Sequence, residues 1–114
     1  MIEDELIKNV KLILKSADLV YLNKDYTSAT ILYFKTLFLV LDLIILRTKG
    51  KTPKDHTERF RILQQDYPKL YESLDKYFKI YRDTYSISID KETCEVIKHY
   101  VKKTINEYGI KIWN

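Results

Sequence analysis

The stretch "YRDTY" at 81–85 sets Arg82 beside Asp83, with Tyr85 one helical turn after Tyr81 and Phe78 one turn before Arg82. A guanidinium fork meets two phosphate oxygens at once, so Arg82 is suited to hold a phosphate group. Its plainer role is to lie over the rings of Phe78 and Tyr85 and to pair with a carboxylate. If the helices pair across a two-fold axis, two copies of Arg82 converge on one cleft. Arg82, Asp83 and Tyr85 are therefore the candidate ligand-binding residues.

Other chemistry is poorly served. His56 and His99 are the only histidines, they fall on separate predicted elements, and no metal-ligand spacing such as C-x-x-C or H-E-x-x-H occurs. No metal site is expected. Gly50 and Gly109 are the only glycines and stand far apart, which excludes a glycine-rich phosphate loop, and no cofactor is expected. Cys94 is the only cysteine and sits beside Glu95. A neighbouring carboxylate raises a thiol's pKa, so Cys94 reads as a small core residue. No intramolecular disulfide can form, and no secretory leader is visible, so a cytoplasmic location is expected. The net charge of +4 is compatible with an anionic partner. The lysine runs "KGKTPK" and "KHYVKK" read as solvated faces, and most of the ten tyrosines as core packing rather than RNA-stacking platforms.

These residues need elements to hold them. With 46% hydrophobic and 32% charged residues, the chain predicts one folded domain over residues 1–114. Scarce glycine and proline argue for few, long helices: an all-α, up-and-down bundle of four or five. The first is predicted over Glu3–Leu22, with Leu6, Val10, Ile13, Ala17 and Val20 on one face. The second spans Asp25–Arg47, with Tyr26, Ala29, Tyr33, Leu37, Val40, Leu41 and Ile44 inward. Gly50 and Pro53 end it. Asp55 and Glu58 match a capping box that starts a third helix over His56–Gln65, anchored by Phe60 and Leu63. Pro68 opens a fourth, whose buried stripe is Leu70, Leu74, Tyr77, Phe78, Tyr81 and Tyr85. "SISID" reads as a frayed helix end and loop, because a lone strand has nothing to pair with. Asp90 caps a fifth, with Ile97, Val101, Thr104, Ile105 and Tyr108 inward and Val96 flanking. Trp113 in the tail is expected to tuck onto the bundle or a partner.

The segment "LFLVLDLIIL" at 37–46 is apolar nearly all round, so it must be buried on more than one side. A membrane span is rejected, because Lys35 and Asp42 interrupt the run. The alternative is a homodimer in which Leu37, Val40, Leu41 and Ile44 form the interface. Lys35 and Asp42 lie two turns apart on one face and would mark a polar seam within it.

The layout resembles the HEPN domains, small helical bundles of archaea and bacteria that usually dimerise. The resemblance covers most of the chain. It is carried by "DYTSA" opening the second helix, the long apolar helix that follows, "GKTPKDHTERFRIL" with His56 starting the third, and "YRDTY" late in the fourth. Several HEPN members are metal-independent ribonucleases whose signature is an arginine, a polar residue after it and a histidine a few residues on. Others partner minimal nucleotidyltransferases in two-gene pairs resembling toxin–antitoxin systems. Arg82 and Asp83 match the signature, but Ile87, Ser88 and Ile89 stand where its histidine belongs. What the resemblance implies is a dimeric binding and assembly module without efficient catalysis. It would take a nucleotide or RNA and work beside a nucleotidyltransferase. The alternative it leaves is a ribonuclease in which Arg82 stabilises phosphate charge and His56 or Tyr85 moves the proton. A purely structural dimer is the third reading.

Overall fold

Local signals set the helix ends. In the computed structural model, which describes residues 2–112, the chain forms α1 (Ile2–Leu22), α2 (Tyr26–Lys49), α3 (His56–Asp66), α4 (Pro68–Asp83) and α5 (Lys91–Glu107). The carboxylates of Asp25, Asp55 and Asp90 accept from the backbone N–H of Ser28, Glu58 and Thr93, each capping the helix that follows. Gly50 closes α2 in the left-handed region at φ 78°, its N–H donating to the Leu46 carbonyl, a conformation that glycine adopts without a Cβ penalty. Among the described residues there is no strand, and the "SISID" segment is turn and loop.

The predicted all-α bundle is therefore what the chain forms, with α2 at its centre. Helices α1 and α5 pack along α2, while α3 and α4 pair with each other and both meet α2, α3 through the Arg59–Asp42 contact. One polar clamp joins the first layer. The Tyr33 hydroxyl on α2 donates to Asp18 of α1 at 2.5 Å, and Lys102 of α5 reaches the other oxygen of that carboxylate at 3.2 Å. The tail seals one end with Ile110 and Ile112, both buried. The N–H of Ile89 donates to the Thr27 hydroxyl at 2.8 Å and ties the α4–α5 loop to the start of α2.

Three expectations need correction. Leu37, Val40 and Leu41 are 0% exposed and Ile44 only 5% within a single chain, so these side chains are covered by the bundle itself and leave no surface for a partner. The all-round apolarity of α2 is explained by three neighbouring layers of its own fold. Tyr85 was expected on the buried stripe of α4, but α4 ends at Asp83 and Tyr85 is 77% exposed. Tyr108 was expected inward, but it is the residue that ends α5 and it is exposed. Helix α2 is long and apolar enough to cross a membrane by length and composition, yet most of its apolar window is buried inside the bundle, as in the core helix of a globular domain. Trp113 lies outside the described residues.

Leu41→Ala is expected to cost about 2–5 kcal/mol, the range for emptying a packed core site. Denaturant unfolding would show the loss. Sedimentation should show no change of association state, because the side chain faces the protein's own interior.

Candidate functional site

A carboxylate in an otherwise apolar helix needs a partner, since an unpaired buried charge is costly. Asp42 finds it in Arg59. The Arg59 Nε donates to Asp42 Oδ1 at 2.7 Å and Nη2 to Oδ2 at 3.0 Å, a side-on bidentate pair that is largely buried. Residues three apart on a helix are neighbours, so Arg59 also reaches back to His56, with Nη1 2.6 Å from His56 Nδ1. The guanidinium carbon lies 5.1 Å from the centroid of the Phe38 ring, a contact that adds to the pair's attraction.

Around this polar core stands a cluster of rings. His56 meets Phe38 edge-on at 4.7 Å, and Tyr81 of α4 meets Phe38 at 5.3 Å and 89°. Phe34 and Phe78 pack behind Tyr81. Between α2, α3 and α4 these groups line an open cleft of about 360 Å³, formed by Ile31, Lys35, Phe38, Leu39, Asp42, His56, Arg59 and Tyr81. Lys35 and Asp42 do share a seam, as their spacing predicted, but it is a cleft within one chain. Lys35 is exposed and has no carboxylate partner among the described residues.

The geometry decides the state of the imidazole. Arginine has donors only, so Nδ1 of His56 accepts from Arg59 and the neutral ring carries its proton on Nε2. Burial lowers the His56 pKa from its ordinary 6.5, and the Arg59 charge lowers it further against the smaller opposing pull of Asp42 and Asp55. A general base needs a free lone pair. In His56 that lone pair is engaged by Arg59, and the ring offers Nε2–H instead. In this geometry the imidazole presents a hydrogen-bond donor, Nε2–H, while its acceptor nitrogen is occupied.

The predicted residues divide. His56 lies in the cleft. Tyr85 touches its edge, its hydroxyl 3.1 Å from that of Tyr81, a bond that together with burial raises the Tyr81 pKa. Arg82 is exposed and does not line the cleft, and its guanidinium makes no ion pair or hydrogen bond among the described residues. Asp83 does not line it either; its carbonyl accepts from the N–H of Ser86 and Ile87 and rounds off α4. The arginine beside His56 is Arg59, which the sequence reading passed over. Its signal was present: Asp42 alone in an apolar helix demands a cation, and Arg59 stands one turn after His56. Among the described residues, no three His, Cys, Asp or Glu side chains gather to hold a metal.

Asp42→Asn leaves Arg59 buried and uncompensated, and should cost about 3–5 kcal/mol of stability. Replacing both partners together, Asp42→Leu with Arg59→Met, should recover most of that loss in the same denaturation assay. The lowered His56 pKa carries a sign as well. Below 6.5 the unfolded chain takes up a proton that the folded imidazole resists, so this contribution is full above that pH and is lost as pH falls towards the lower native value. His56→Gln should flatten that part of a stability-against-pH curve.

No family model, curated protein or solved structure matches this chain.

Proposed function

We propose that this protein is a helical binding module whose α2–α3–α4 cleft takes a nucleotide, free or at the end of an RNA strand. The observation that carries the reading is the composition of the cleft. Aromatic rings and two aliphatic side chains make its walls, the surface a base stacks on. The charges of Asp42 and Arg59 cancel in their own pair, which leaves Lys35 as the unbalanced charge facing a ligand, and it is positive. A volume of about 360 Å³ falls at the lower end of ordinary small-molecule sites. The HEPN resemblance supports the same class of ligand and adds a nucleotidyltransferase as the partner.

Binding is favoured over catalysis by the His56 tautomer. Its acceptor nitrogen is engaged by Arg59 at 2.6 Å, and Arg82 stands outside the cleft. Titration with the ribonucleoside monophosphates, followed by NMR, should move the signals of Lys35, Phe38, His56 and Tyr81 with a Kd of about 1 mM or tighter. No shift at those residues refutes the reading. RNA incubated with the protein in EDTA should stay intact. Cleavage that vanishes in His56→Ala would replace binding with catalysis.

A further inference from the structure

Resting on the nucleotide reading, the geometry points to a fixed orientation and a base preference: the inner end of the cleft takes the O6/N7 edge of a guanine-type purine, and Lys35 takes the phosphate. A guanidinium has five N–H groups. Arg59 uses three of them, two on Asp42 and one on His56, which leaves two donors on a side chain that lines the cleft. Next to them the neutral His56 offers Nε2–H. Both Asp42 oxygens already accept from Arg59. The α2–α3 wall is therefore donor-rich, with three N–H groups left over against the one remaining lone pair on each Asp42 oxygen. Among the described residues the only hydroxyl lining the cleft is the Tyr81 phenol of α4.

Charge decides which part of the ligand faces this wall. The Asp42 carboxylate cancels Arg59, so the inner end attracts a neutral acceptor edge better than an oxyanion. Lys35 stands seven residues before Asp42 on α2, about 10 Å along the helix, and its ammonium has no carboxylate partner among the described residues. It is the natural phosphate contact. Guanine presents two adjacent acceptors, O6 and N7, to a donor wall. Adenine keeps N7 but sets an amino group where O6 would be, donor against donor.

The test varies the ligand at constant protein, then one exposed residue. Calorimetric titrations compare GMP, IMP, AMP, 7-deaza-GMP and guanosine. IMP keeps O6 and N7 and should match GMP. AMP and 7-deaza-GMP should each bind about tenfold more weakly or worse. In Lys35→Met, GMP should weaken by about tenfold while guanosine is unchanged. Equal affinity for AMP and GMP overturns the base preference and leaves the nucleotide reading standing. Equal losses of GMP and guanosine in Lys35→Met overturn the orientation. Failure of every ligand to bind removes the nucleotide reading itself.

Discussion

The buried pair between Asp42 and Arg59 is the constraint around which the α2–α3–α4 side of the protein is arranged. A carboxylate in the middle of the most buried helix is tolerable only if a cation reaches it with good geometry. Arg59 does so with two bonds and gives a third to His56. That one requirement fixes where α3 sits on α2. It also sets the imidazole tautomer and turns the face of α3 that carries both residues towards Phe38 and Tyr81. A buried ion pair is weak evidence for added stability. What it adds to the apolar packing of Ile62, Leu63 and Phe60 is direction, because a bidentate ion pair has a preferred geometry and apolar contact has none.

The remainder of the bundle is held differently. Helices α1, α2 and α5 share a continuous apolar core with Leu37, Leu41, Ile97 and Val101 fully buried. Burying each such side chain is worth about 1.5–3 kcal/mol. The Asp18–Tyr33–Lys102 clamp adds direction to a contact that is otherwise non-directional. The α3–α4 side relies more on ring packing, with Phe60 edge-on to Phe78 at 4.9 Å and Tyr81 between Phe34 and Phe38. The cleft lies wholly on this second side, lined by residues of α2, α3 and α4.

Much of this could be read from the chain. The caps at Asp55 and Asp90 and the stop at Gly50 act through bonds to residues three or four away, so their identity alone placed those helix boundaries, whereas Asp25, expected inside α2, caps it. The inward stripes of α1, and of α5 as far as Ile105, followed from periodicity, while Tyr108 at the end of α5 did not. Tyr85 shows the limit. Its spacing continued the α4 stripe, but the helix ended two residues earlier, and periodicity does not say where a helix stops when no strong breaker follows.

Sequence by itself determined the helices, their faces and the presence of one charge, Asp42, that had to be answered. Only the tertiary structure decided what answered it and what covered α2. An all-round apolar helix demands burial on every side, but that demand is met equally by a second subunit or by more of the same chain, since the hydrophobic effect has no direction. Here the chain's own α1, α5 and α4 meet it. The arginine that matters was chosen the same way: Arg59 and Arg82 are alike as residues, and only the placement of α3 against α2 brings one of them to the carboxylate.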